Sequence, residues 1–336
     1  MVDEALPNNM RIRSLMLAAI ITLSSLSIVI ANDTVTTQDV ELSGNHTMNG
    51  NYTVSHGTTL TIKPGTTIDM QNYWMKVEGT LIADNTTIMS SIQTTGLGSH
   101  NAGVWDSLTI TQMGSATLDN VTISNAKSCL IIDGDLTATT LTIEDCLIGI
   151  EVDGTATIEG LSASHIDHDG MRVTGDADIS MSDFDDISGG VHSSGDLVLS
   201  GSVFSNAGVG VALTGGTADV ENLNFITGVG NAVTISSGVS GDVDGMEGQA
   251  TNAIVSMDST GFTVSNIDMS GERLVNSWSA GDLTISDASF FADSPETPID
   301  LRTSGTVTLS EVNLSGQFSS GQNSYNAPWI GMALAG

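Results

Sequence analysis

The sequence predicts an all-β solenoid, a single chain wound as a parallel β-helix of roughly ten to twelve coils stacked about 4.8 Å apart. Three observations predict it. An apolar pattern returns in nearly constant register: successive starts at Ala116, Leu136, Ala156, Ala177, Leu197 and Ala218 lie 20, 20, 21, 20 and 21 residues apart. Like strands that recur so regularly pair in parallel, and parallel pairing needs a long crossover. That crossover is punctuated by Gly, Asp and Asn and has period 2 rather than 3.6, so it is strand and turn, not helix. Composition agrees: hydrophobic residues make up 40% and aromatics only 4%, so the core is aliphatic. A β-sandwich, whose loops vary in length, would not hold this register.

Residues 1–31 read as an export signal. Arg11 and Arg13 precede an apolar run from Leu15 to Ile30, and Val29-Ile30-Ala31 supplies a small-residue end. Asp3 and Glu4 fit such a signal poorly, which makes Met10 an alternative start to Met1. The competing reading is an uncleaved membrane anchor; a short run carrying Thr22, Ser24, Ser25 and Ser27 favours cleavage. Residues 32–110 form an N-terminal cap and the opening coils, and residues 111–336 the regular coils.

In the regular coils the pattern h-x-h-x-x-h-x-h (h apolar) occurs as ATLDNVTI from Ala116, LTATTLTI from Leu136 and ATIEGLSA from Ala156. Further copies begin at Ala177, Leu197, Ala218, Phe262, Leu283 and Val307, with a degraded copy around Gly241 to Gly248. Ser182 and Ser202 interrupt the third apolar place. Each repeat carries another apolar strand, such as LIIDG from Leu130, IEVDG from Ile150 and MRVTG from Met171. The C-terminal APWIGMALAG, from Ala327, parallels AGVGVALTGG, from Ala207. It has no polar cap, and solenoids need capped ends, so a further module is expected beyond it.

The stretch 59–110 contains TLTIKPGTTIDM, WMKVEGTLIADNTTIM and VWDSLTI. It resembles the first coils of right-handed parallel β-helix surface proteins in the pectate-lyase-like superfamily. The resemblance implies right-handed coiling. It also implies turns at Pro64-Gly65-Thr66 and Gly79-Thr80-Leu81, with Trp105 opening a new coil. It leaves function open, because the architecture hosts lyases, hydrolases, adhesins and passive surface proteins.

Charge narrows the partners. The formal net charge is -31, from 39 acidic and 8 basic residues. A polyanion of this kind repels nucleic acid and anionic membrane surfaces. Membrane contact would therefore need an N-terminal anchor or a missing C-terminal module. Polysaccharide or cell-surface glycan is the expected partner, and the chain is expected to be a monomer. Six sequons follow the signal, at Asn32, Asn45, Asn51, Asn85, Asn120 and Asn313. They are glycosylation candidates only in a host that modifies exported proteins.

The densest chemistry is SHIDHDGMRVTG, residues 164–175. Stacking by register puts His165 in a polar turn column with Asn125, Asp145, Asp186 and Asn206. The next column, Ala126, Cys146, Ile166, Ile187 and Ala207, points inward. Cys129 lies three positions out of register with Cys146, so a disulfide is allowed but not required. Arg172 falls in an outward column above Glu151 and beneath His192, which predicts an ordinary cross-coil ion pair. The coil containing Asp167, His168 and Asp169 is one residue longer than its neighbours, which suits a bulge.

Two uses of this region compete with a plain turn ladder. Carboxylates of Asp167, Asp169, Asp183 and Asp185 could share a calcium ion, although the histidines suit a softer metal. No cofactor is otherwise required. In an enzyme reading, a polysaccharide lyase or glycoside hydrolase would use the 159–186 cluster. Asp185 or Asp186 would act as acid and His165 or His168 as base, with Glu159 and Asp183 lining a groove. Against this, the six basic residues after the signal, Lys63, Lys76, Lys127, Arg172, Arg273 and Arg302, are dispersed over separate coils. The leading functional expectation is an exported acidic rod with a structural, adhesive or glycan-contacting role at the cell surface.

Overall fold

A computed structural model describes residues 33–92 and 103–316 except Ser237, 258–260, 279–281, 295–297 and Thr303, with the backbone of 22–23, 28–31 and 332–335. The described residues contain thirty strands and no helix. All pair in parallel, each with its equivalent one coil away, in a β-solenoid of about 12 turns. The ladder runs Ala116, Leu136, Ala156, Ala177, Leu197, Ala218 and Gly241 in unbroken register. The repeat read from sequence is therefore the physical repeat. The degraded copy is a full coil with glycine at its first apolar position.

Each coil has three faces. The eight-residue pattern supplies two of them, because it is not one flat strand. Ser115–Ser124 is extended on either side of Asn120, whose φ is 51°. A single left-handed residue turns the chain and shifts the alternation by one, which is the physical content of the doubled x. The same position is Asn85, Thr140, Gly160, Met181, Gly201, Asn222, Gly245, Asn266, Asp287 and Glu311 in the other coils, all with φ between 47° and 86°. Asn and Gly recur there because they tolerate this region at little steric cost. The third face is the separate apolar strand, for example Ser128–Ile132 stacked on Ile148–Val152.

The bore is filled as the composition requires. Leu, Ile, Val, Ala and Met side chains of all three faces are buried together. Ser182 and Ser202, at apolar positions, are buried, and their hydroxyls donate to the carbonyls of Ser180 and Ser200 at 3.3 and 3.4 Å. Trp105 is buried, its indole N–H donates to the Ser124 carbonyl at 2.9 Å, and it bridges Ala126 just ahead of the third face, so it is a structural residue within a coil rather than the opening of a new one. Phe184, Phe204 and Phe225 form an internal stack with ring centroids 5.0 and 5.3 Å apart. Cys129 and Cys146 are joined by a disulfide that staples adjacent coils.

Parts of both chain ends join the ladder. Thr22–Leu23 and Ile28–Ala31, within the run read as an export signal, pair with 41–42 and 46–49. These two pieces of the apolar segment thus pair as strands; residues 1–21, 24–27 and Asn32 lie outside the described residues. At the other end Met332–Ala335 pairs with Ile299–Arg302. This is one residue out from the alignment read in sequence, because the ladder connects Leu334, not Ala333, back to Leu213.

Candidate functional site

The polar turn column is a second left-handed corner, between the second and third faces. Asn125, Asp145, His165, Asp186 and Asn206 have φ of 59°, 56°, 54°, 54° and 48°, and Gly228 continues the column at 68°. Their identity follows from that conformation: short polar side chains and glycine are the residues that enter it. His165 lies between its column neighbours, with Nδ1 3.8 Å from an Asp145 carboxylate oxygen and Nε2 4.0 Å from one of Asp186.

The extra residue of this coil makes the expected bulge. Register slips between Ile166 and Asp169, leaving Asp167 and His168 in the irregular segment. His168 is exposed, and Ser188 Oγ donates to the Asp167 backbone carbonyl at 2.6 Å. Asp169 has a role that sequence register did not reveal. Its carboxylate accepts from Arg172 Nε at 3.1 Å and from the guanidinium NH2 at 2.7 Å. The predicted pair between Arg172 and Glu151 is longer, at 3.9 Å. Arg172 is thus held chiefly within its own coil. His192, directly above it, has Nδ1 3.9 Å from the same Asp169 carboxylate, while its Nε2 lies 3.3 Å from Thr214 Oγ1.

Asp183 and Asp185 lie one coil on, on the second face, aligned with Ser162 and Ser164. Their environments push them apart. Asp185 is held below the usual carboxylate range, first by the Ser205 hydroxyl, then by the Asn206 amide at 3.0 Å, with smaller help from His165. Asp183 is raised, mainly by burial and then by the charge of Asp185. Glu159 does not join them. It ends the first face, before the corner at Gly160. Both faces turn their apolar sides into one bore, so that corner is convex and the outward side chains on either side diverge. Among the described residues no group of three or more His, Cys, Asp or Glu side chains is placed to hold a metal ion.

Of the basic residues, Lys63 pairs with Glu41 at 2.9 Å, Lys76 with Glu78 at 3.0 Å and Arg302 with Asp300 at 2.8 Å, and Lys127 pairs with Asp106. Lys63 and Lys76 share one coil, the first just after its first-face strand and the second within its third-face strand, in contrast to the separate coils expected; Lys127 and Arg302 lie on coils of their own. Asn85 and Asn120, read as sequons, are corner residues, and Asn120 Nδ2 donates to Asn85 Oδ1 at 3.0 Å. Asn45 and Asn313 are exposed, and Asn51 Oδ1 accepts from the Trp74 N–H at 3.3 Å.

Two concave surfaces were not anticipated. One lies on the first face over four coils, a hollow of about 400 Å³ lined by Thr157, Asp176, Asp178, Asp196, Val198 and Asp219. The other lies on the second face at the degraded coil. There a hollow of about 400 Å³ is lined by Asn224, Glu247, Gly248, Asp268, Ser270 and Phe291. A neighbouring hollow of about 260 Å³ shares Glu247 and Asp268. The signal in the sequence was the loss of pattern at Gly241, Gly245 and Gly248.

No protein-family model and no curated protein matches the chain. Solved structures do resemble it. The catalytic unit of a thermostable GH87 α-1,3-glucanase from Streptomyces thermodiastaticus superposes with a TM-score of 0.54 at 13% identity, over 87% of this chain and 64% of that one. The chain thus spans under two thirds of the glucanase unit. PfbA, a surface adhesin of Streptococcus pneumoniae, gives 0.41 at 14% identity over 83% of each chain. Endopolygalacturonase I from Stereum purpureum gives 0.39 at 13% identity, over 86% of this chain and 96% of that one. At such identities the shared property is the fold alone: this chain is a parallel β-helix.

Proposed function

We propose that the protein is an exported, non-catalytic rod that contacts glycans through its outer faces as a monomer. One observation carries the reading: the side chains best suited to chemistry are built into the wall. His165 and Asp186 are left-handed corner residues, Asp185 accepts from Ser205 and Asn206 of the next coil, and Asp169 holds Arg172. Export is supported by the disulfide, since such bonds persist in oxidising compartments. The test is a polysaccharide panel scored for both retention and product release. Retention without new reducing ends or unsaturated products is expected, and Asp185→Asn should retain as well as the parent. Release of product would overturn the reading.

A second reading, glycoside hydrolysis, is favoured by the opposed shifts of Asp183 and Asp185, since paired carboxylates with divergent acidity divide acid and base roles. In that case Asp183 is the acid and Asp185 the ionised partner, in place of the Asp185 or Asp186 acid expected from sequence. Asp183→Asn would then abolish product release.

A further inference from the structure

We infer that the hollow on the second face at the degraded coil is a binding groove for a neutral saccharide. The inference rests on the glycan-contacting reading above and assigns it a place and a ligand class.

The groove is built by glycine. Along the inward column, Phe225 and Met269 are buried, yet Gly248 between them is exposed. Its φ is 114°, and a Cβ there would lie 1.9 Å from the Phe225 carbonyl oxygen. No side chain can fill that position, so the wall is permanently dented at this coil. On neighbouring coils the same column carries a large side chain that closes the bore.

The dent is furnished for a sugar. Glu247 and Asp268 are exposed rung partners, so their side chains leave the wall from strands about 4.8 Å apart along the axis. Asn224 occupies the rung below Glu247. The spacing and polarity suit successive hydroxyls of a pyranose, which offer donors to carboxylates and both donors and acceptors to an amide. Phe291 borders the same hollow and is 39% exposed, with Ser270 and Ser315 as rung neighbours. A solvent-facing ring beside hydroxyl-binding groups presents an apolar surface to the C–H face of a sugar. Two carboxylates with no basic residue lining the hollow disfavour uronate and sulfated chains. The ligand class is therefore an uncharged hexose or pentose oligosaccharide.

The experiment is calorimetric titration of the full chain with neutral gluco-, manno- and xylo-oligosaccharides and with oligogalacturonate. Variants are Phe291→Ala, Asp268→Asn and Ser270→Tyr, the last to fill the hollow, with Trp278→Ala as an exposed aromatic control. Thermal melts confirm that each variant folds. Binding of a neutral oligosaccharide is expected, weakened at least tenfold in Phe291→Ala and Ser270→Tyr and unchanged in Trp278→Ala. Neutral binding that survives both groove variants overturns the groove and leaves the glycan reading standing. Preference for oligogalacturonate overturns the ligand class. Failure to bind any saccharide, in this titration and on the panel above, overturns both.

Discussion

Gly190 makes room for the ring of Phe204: a Cβ on Gly190 would sit 2.5 Å from Phe204 Cε1 and 2.4 Å from the Gly210 carbonyl oxygen. The relationship repeats one coil down and one coil up, with Gly170 against Phe184 and Gly210 against Phe225. Large rings on the second face and absent side chains at the start of the third are two halves of one packing solution. Gly190→Ala should therefore destabilise the fold by roughly 1–3 kcal/mol through overpacking. Phe204→Ala should cost about 3–5 kcal/mol through the cavity it leaves. Adding Phe204→Leu to Gly190→Ala should recover part of the loss of the single variant. Denaturant melts of these variants and of Phe204→Leu alone measure this, and additive effects of Gly190→Ala and Phe204→Leu would deny the pairing.

The Cys129–Cys146 bridge closes a segment with a sequence separation of 17. By loop-closure entropy it should stabilise by about 3 kcal/mol. Reduction, or Cys129→Ala with Cys146→Ala, should lower the melting temperature by several degrees without altering the far-ultraviolet spectrum. An equal melt for oxidised and reduced protein would refute the contribution.

His165 is defined by its backbone rather than by its imidazole. His165→Asn should melt within about a degree of the parent, because Asn tolerates the left-handed region. His165→Val should lose about 1–2 kcal/mol, because a β-branched side chain does not tolerate it. If Asn instead proves as harmful as Val, the imidazole itself matters.

Two carboxylates give opposite pH signatures. Burial raises Asp69, but the side chain and N–H of Ser91 and both groups of Gln71 outweigh it, so its acidity is increased overall. Its stabilisation is present above the unfolded pKa of about 4 and lost as pH falls through the lower folded value. Asp69→Ala should cost roughly 1–3 kcal/mol at neutral pH and much less in strong acid. Asp242 is raised, by burial and then by the charges of Asp219 and Asp244. It opposes folding increasingly as pH rises from the unfolded value of about 4, and fully above the elevated folded one, so Asp242→Asn should raise the melting temperature at neutral pH. The gain should vanish below about pH 4. Melts of both variants across pH decide the signs.

Calcium shared by Asp167, Asp169, Asp183 and Asp185 would compete with Arg172, Ser205 and Asn206 for the same oxygens. Added chelator is accordingly expected to leave the melt unchanged. A fall of several degrees, restored by calcium, would establish the ion.

The coils were legible in the sequence because register has to be kept where one face is buried. Ala116, Leu136, Ala156 and Ala177 stack as their spacing required, and the inward column through Cys146 and the outward one through Arg172 followed from counting. The corner at Asn120 was less legible: its φ is a property of one residue, and Thr140, Met181 and Glu311 adopt it without a diagnostic side chain. The pairing of Asp169 with Arg172 was hidden by the bulge, which changes where a side chain points without changing the count. The hollow beside Phe291 was hidden for the opposite reason. It arises where the pattern fails, and a missing side chain looks in sequence like decay rather than design.

The stacking of about 12 turns also fixes how densely the molecule carries its charge. At about 4.8 Å per turn the axis is roughly 60 Å long, so a net -31 amounts to about one negative charge every 2 Å. Duplex DNA carries one per about 1.7 Å. A cylinder so charged gathers a sheath of condensed cations, and any polycation that docks along it releases them into solution. The rod should behave toward salt as a nucleic acid does, with its affinity for basic polymers falling steeply as ionic strength rises.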